Sequence, residues 1–158
     1  MKKNIIAIVG MCGSGKSVAS AFLEDLGYEK VYFGGVTLDK LRENGMEINP
    51  LNEKIMREKL RSELGMGAYA KILLDNLDNI SLVAIICDKK IRYERLEKRE
   101  IRPLTSDEAN KRDIAEIENL AKGGPISYAD YFINNNGTLK DYEIRLKEIL
   151  NNIEKERI

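Results

Sequence analysis

The chain has 158 residues, with 26 lysines and arginines against 26 aspartates and glutamates, and no histidine. That length fits one domain with a proper core, and the balanced charge supplies no overall field for a nucleic acid or a membrane surface, which disfavours a helicase or another polynucleotide motor. The lack of histidine excludes imidazole catalysis and histidine-based metal sites. The two cysteines, Cys12 and Cys87, form no metal-binding cluster, and a reduced, cytoplasmic setting fits them best. Lys2-Lys3 before an apolar stretch has the look of a signal peptide. The run is short, however, leads into a glycine-rich turn and lacks a small-residue cleavage site, so neither a targeting signal nor a membrane span is expected.

In chain order, Asn4-Ile5-Ile6-Ala7-Ile8-Val9 reads as a short buried parallel strand, being apolar and rich in β-branched residues. Gly10-Met11-Cys12-Gly13-Ser14-Gly15-Lys16-Ser17 follows and matches G-x-x-x-x-G-K-[ST] in full, the Walker A or P-loop pattern. Val18 to Leu26 then reads as a helix closed by Gly27. The glycines thus fall on a strand-to-helix turn, where the lack of a Cβ lets the backbone approach a ligand closely. Amides of the turn and the positive end of the helix converge on an anion there. The expected ligand is a nucleoside triphosphate, with Gly10, Met11, Cys12, Gly13, Ser14, Gly15, Lys16, Ser17 and Val18 forming the cofactor site. Lys16 is the catalytic cation on the β- and γ-phosphates, and the Ser17 hydroxyl is the ligand for Mg²⁺. Cys12 admits two readings: a reactive thiolate at the positive end of the helix, or a small filler under the loop. Cys87, ending an apolar strand, is expected to be protonated and inert.

Beyond Gly27, Lys30 to Phe33 reads as a brief strand and Leu38 to Asn44 as a helix stopped by Gly45. Asn49-Pro50 reads as a loop, and Asn52 or its neighbours open a long helix to about Leu77, interrupted at Gly65-Met66-Gly67. Ser81 to Cys87 is a second buried strand and Asp88 to about Arg99 a basic amphipathic helix broken by Pro103. Thr105-Ser106-Asp107-Glu108 caps the next helix, which runs to about Lys122 and ends at Gly123-Gly124-Pro125. Tyr131 to Asn134 is a last strand, Asn135-Asn136-Gly137 a turn, and Leu139 to Ile153 a terminal helix. Strands alternating with helices predict an α/β fold, a mostly parallel sheet between helical layers.

The P-loop, the arginine-rich helix after an apolar strand, and the ending Ala129-Asp130-Tyr131-Phe132-Ile133-Asn134-Asn135-Asn136-Gly137 together resemble the P-loop nucleotide kinases, in their branch related to dephospho-CoA kinase and adenylate kinase. The resemblance covers nearly the whole chain and implies a three-layer α/β/α kinase domain over residues 1–158 with a lid-like segment at about 92–122. It implies that the loop after the last strand, with Asn134, Asn135 and Asn136, packs on the adenine; as residues alone these asparagines equally fit an ordinary turn. Arg92, Arg95, Arg99 and Arg102 recur at three and four residues, which lines up the first three on one helix face. The resemblance makes this segment the clamp on the transferring phosphoryl, with Arg99 and Arg102 as the catalytic choices and Arg57, Arg61 and Arg112 as acceptor-binding candidates. The other reading is a solvated surface whose charge Glu94, Glu97, Glu100 and Asp113 neutralise. Asp39 is a weak candidate for a base. The family also has a strand ending in a carboxylate before the strand at Ser81, and here the long helix passes directly into the latter. Loss of that strand would leave the P-loop strand half unpaired. A segment missing near residues 78–81 and a rebuilt sheet both account for this, the first being favoured.

Two functions follow. One is a kinase that passes the γ-phosphoryl of Mg-ATP to a small nucleotide-like acceptor, by positioning and charge stabilisation. The other is an ATP-binding regulator or weak ATPase with no dedicated acceptor. Expected partners are ATP and a small-molecule phosphate acceptor, without nucleic acid or membrane; the sequence identifies neither the acceptor nor the oligomeric state.

Overall fold

The computed structural model describes residues 5–30, 33–64 and 80–156. The elements are β1 (Ile5–Val9), α1 (Lys16–Asp25), α2 (Phe33–Glu43), α3 (Pro50–Leu64), β2 (Ile80–Ile86), α4 (Lys89–Lys98), α5 (Ser106–Glu118), α6 (Gly123–Ser127), β3 (Tyr131–Asn134) and α7 (Leu139–Lys155). The chain divides into two compact units, one made of Met1–Tyr28 with Asn79–Ile158, the other of Glu29–Asp78.

The first unit holds a parallel sheet in the order β1-β2-β3, flanked by helices. Ile5 pairs with Ile80 and Val9 with Ala84, while Val83 pairs with Tyr131 and Ile86 with Asn134. β2 is therefore central. Helices separate the strands in chain order, as parallel pairing requires. Because strand side chains alternate, Ile6, Ile8, Val83, Ile85 and Ile133 share one face, and they pack there with Ala19 of α1 and Tyr142, Leu146 and Ile153 of α7. The spacing Tyr142-Leu146-Leu150-Ile153 gives α7 its apolar stripe, and all four are buried. A second cluster lies under the turn after β1, where Cys12 meets Leu96 of α4 and Ala109 of α5. Among the described residues no strand pairs with the outer edge of β1, and every residue of β1 is only half-buried.

α1 ends in a Schellman motif: Gly27, at φ 89°, donates its N–H to the Glu24 carbonyl and Tyr28 donates to that of Leu23. The same device closes α2 in the second unit, with Gly45 at φ 64° donating to Arg42 and Met46 to Leu41. There α2 and α3 pack through Val36, Leu41, Met56 and Leu60.

Several element boundaries differ from the sequence expectation. Phe33 opens α2 instead of ending a strand, and Val31 and Tyr32 lie outside the described residues. α3 starts at Pro50 instead of Asn52, because Asn49 caps it: the Asn49 side-chain oxygen accepts from the Asn52 N–H at 2.9 Å and its carbonyl from Glu53. Proline is well suited to the first helical position that follows. α3 is described to Leu64, so the expected kink at Gly65–Gly67 and the continuation to Leu77 lie outside the described residues. Gly123-Gly124-Pro125 opens the short helix α6 instead of merely ending α5; a proline in the first helical turn loses no intrahelical bond. Among the described residues no helix is long and apolar enough to cross a membrane.

Candidate functional site

The turn between β1 and α1 carries the site. Gly13 and Gly15 adopt φ of 79° and 108°, a left-handed region that residues with a Cβ avoid. Space reinforces the requirement: a Cβ on Gly13 would lie 2.8 Å from the Arg92 carbonyl, and one on Gly15 only 2.3 Å from the Asn135 amide nitrogen. Gly10 is equally confined, with the Ile85 carbonyl and Ser14 Oγ both 2.6 Å from the place of a Cβ. Gly15 is the N-cap of α1 and no side chain caps that end, so the first amides of α1 are left for another acceptor.

Lys16, the first residue of α1, folds its ammonium back over the loop, donating to the carbonyls of Gly10 (2.8 Å) and Met11 (2.9 Å). Burial pushes its pKa below the ordinary lysine value. Lys122 pushes the same way, Glu116 opposes, and Arg112 adds a smaller downward push. The charge cluster around Lys16 thus comes from the end of the segment after Arg92. Glu116 is buried and carries an ion pair with Arg112 at 3.3 Å. Lys122 Nζ stands 2.9 Å from Glu116 Oε2, an ion pair by distance whose angle is not that of a hydrogen bond. Burial raises the Glu116 pKa, but Lys122 and Arg112 outweigh it and hold the carboxyl below its ordinary range.

The loop is held from outside by three further elements. Arg92 of α4 is buried; its Nη1 donates to the Cys12 carbonyl at 2.8 Å and its guanidinium takes both oxygens of Asp113 on α5, at 3.0 and 2.6 Å. The Tyr93 hydroxyl donates to the same carboxylate at 3.1 Å. Asn135, buried after β3, donates from Nδ2 to the Ser14 carbonyl at 2.8 Å. Tyr142 of α7 donates its hydroxyl to the Gly15 carbonyl at 3.0 Å, and burial raises that phenol well above its ordinary pKa.

These contacts place the expected site residues. Gly10 through Val18 form the turn and the exposed start of α1, with Ser17 and Val18 open to solvent. Of the asparagines, Asn135 meets the turn as above, whereas Asn136 accepts from the Asp88 N–H at 2.8 Å and Asn134 from the Asn136 N–H at 2.9 Å. Arg112 belongs to the charge cluster at Lys16. Arg99 and Arg102 are engaged with each other, Arg99 Nε donating to the Arg102 carbonyl, and Arg102 is exposed at φ 53°. Arg95 Nη1 lies 3.4 Å from Cys87 Sγ, whose thiol burial pushes up. Arg57 and Arg61 lie on α3 in the second unit, Arg57 paired with Glu53 at 3.1 Å. Cys12 is buried against Leu96 and Ala109, as the filler reading expects. Sequence reasoning missed Lys122, Glu116 and Tyr142. Tyr142 is visible in the sequence only as one position of an apolar stripe, and nothing in the spacing of Lys122 and Glu116 points to Lys16.

No family model matches the chain. It is 30% identical to a UPF0200 protein of Aeropyrum pernix, the match covering 90% of each chain. It is 28% identical to a UPF0200 protein of Thermococcus kodakarensis over 181 aligned positions, covering 94% of this chain and 97% of that protein. Since this chain has 158 residues, at least 23 of those 181 positions face none of them, so the relative is longer inside the matched region. Among solved structures, TT1252 from Thermus thermophilus superposes with a TM-score of 0.62 at 19% identity, over 96% of this chain and 98% of that one. An uncharacterized protein from Eubacterium ventriosum gives 0.55 at 18% identity, over 98% and 99%. These two likenesses show a shared α/β fold. The extent and identity of the match to the Aeropyrum protein place the chain in the UPF0200 family.

Proposed function

We propose that the chain binds Mg-ATP at Gly10–Ser17 and transfers the γ-phosphoryl to a small nucleotide-like acceptor. The observation that carries this is the cradle itself: a turn in which only glycine fits at three positions, opening onto an uncapped helix start beside an ammonium group. The residues present fit a triphosphate. Uncapped amides and the helix dipole favour anions, and Lys16, Lys122 and Arg112 outnumber Glu116, the carboxylate among them, so the cluster carries net positive charge. The bound nucleotide would supply the group transferred. The chain's own part is charge and position: Lys16 against the β- and γ-phosphates, the exposed Ser17 hydroxyl for Mg²⁺, and Arg112 as the nearby cation for the acceptor or the transferring group. In this reading Arg99 and Arg102 join the clamp and Asn134 and Asn136 line the adenine, while the Asn135 side chain stays on the Ser14 carbonyl; Arg57 and Arg61 stand as the acceptor-binding candidates that the resemblance implies.

The second reading is an ATP-binding regulator or weak ATPase without an acceptor. It draws on the sheet order, which puts no described strand beside β1 on the side where the nucleotide kinases carry their metal-holding carboxylate. ADP release from Mg-ATP, measured alone and with a panel of nucleotides and dephospho-CoA-type acceptors, separates the two. Stimulation by one acceptor identifies the kinase; tight ATP binding without stimulation identifies the regulator. Lys16→Ala is expected to lower turnover by about 10²-fold or more, the scale of one positioned cation, with the melting temperature unchanged. Wild-type affinity and turnover in that variant would overturn the phosphate-cradle assignment.

A further inference from the structure

Five of the six carbonyls from Gly10 to Gly15 are engaged by side-chain donors. Lys16 takes those of Gly10 and Met11. The other three are taken by side chains from outside the loop: Cys12 by Arg92, Ser14 by Asn135 and Gly15 by Tyr142, at 2.8, 2.8 and 3.0 Å. All three donor residues are buried, and they come from three separate parts of the fold: α4, the turn after β3, and α7.

A peptide unit is planar and trans, so a carbonyl and the N–H of the next residue point in opposite directions. Drawing the carbonyls of Cys12, Ser14 and Gly15 into the protein body therefore turns the N–H groups of Gly13, Gly15 and Lys16 the other way. Gly15 and Lys16 are also among the first amides of α1, which have no acceptor within the helix. Successive amides aimed in one direction make an anion nest. We infer that Arg92, Asn135 and Tyr142 are positioning residues of this nest: they touch no ligand, and they fix the direction in which the loop's amides point.

Packing alone accounts poorly for the choice of residues. A buried arginine–aspartate pair contributes less to stability than apolar residues of similar volume commonly do. A buried tyrosine hydroxyl needs an acceptor, whereas a phenylalanine does not. At each of the three positions the buried donor ends on a loop carbonyl, and Asp113 with Tyr93 completes the shell around Arg92.

The inference rests on the triphosphate reading above, and the test separates the two. Titration calorimetry with Mg-ATP and with magnesium tripolyphosphate is performed on the wild type, Tyr142→Phe, Asn135→Ala and the remote core variant Ile153→Val, with melting temperatures measured in parallel. Tyr142→Phe removes one hydroxyl and leaves the ring in the core. Both loop-facing variants are expected to bind each probe about tenfold more weakly, the value of one hydrogen bond to a charged group. The factor is the same for both probes, because the loss lies in the phosphate part. Ile153→Val lowers the melting temperature and leaves both affinities unchanged. If Tyr142→Phe and Asn135→Ala bind both probes as the wild type does, the inference is overturned. It is also overturned if Ile153→Val loses affinity in proportion to its stability. If the wild type binds neither probe, the nucleotide reading itself fails and the positioning role goes with it.

Discussion

Arg92 and Asp113 are both buried charges, with side-chain exposures of 8% and 9% at a 2.6 Å contact. Burial raises the Asp113 pKa, but the hydrogen bonds and charge of Arg92 outweigh it, and the carboxyl is held below its ordinary 3.8. A carboxylate with a depressed folded-state pKa contributes stability that is complete above its unfolded value and is lost as pH falls through the folded one. Asp113→Asn leaves the guanidinium buried without its partner and is expected to cost roughly 3–5 kcal/mol near neutral pH. Chemical denaturation across pH checks this: the gap between wild type and variant should narrow as pH drops below about 4. A constant gap down to strong acid would remove the pair from the stability account. At this scale the sequence was partly legible. Asp113 was already a candidate neutraliser of the arginine face, and the glycines of the P-loop announce their own geometry. Arg92 and Arg95 read alike in the sequence; burial distinguishes them, and burial depends on which helix face meets the loop. Cys12 was ambiguous for the same reason, since its place among Leu96 and Ala109 is a tertiary fact.

Elements begin and end where local chemistry directs them. The capping box of α5 was readable from Thr105 and Glu108, and the structure shows both halves of it. α7 has the same device: the Thr138 side chain accepts from the Asp141 N–H and the Asp141 carboxylate from the Thr138 N–H. An aspartate in the glutamate position made this second box less conspicuous beside the turn Asn135-Asn136-Gly137. Thr138→Ala is expected to destabilise the fold by about 1 kcal/mol, read as a fall in the denaturation midpoint at unchanged slope. No change would mean that α7 is held by its buried stripe alone. Phe33 and Pro50 were misread because aromatic residues favour strands and Asn-Pro favours loops, and in both places a helix start uses the same residues.

At the scale of the molecule, the parallel α/β architecture followed from alternating elements, and the question of a strand beside β1 arose from the family resemblance, since its loss leaves the P-loop strand half unpaired. Every residue of β1 is half-buried, and the Thermococcus relative has additional residues within the matched region. The pairing order also bears on how the cradle is assembled in time. β1 meets β2 across a sequence separation of 75 residues, from Ile5 to Ile80, whereas β2 meets β3 across 48, from Val83 to Tyr131. Loop-closure entropy alone separates these two steps by only about 0.4 kcal/mol, too little to order them. The β2–β3 connection, however, contains the capped α5 and the Arg92–Asp113 bridge, so that half can gather locally while β1 is still free. The glycine turn hangs from β1 and its three outside supports all belong to the later half of the chain. In refolding, the far-ultraviolet dichroism of the helices is therefore expected to recover before the capacity to bind a fluorescent ATP analogue; simultaneous recovery would show that β1 docks in the same step. Competence to bind would then mark the completed molecule, and partly folded chains would hold no nucleotide.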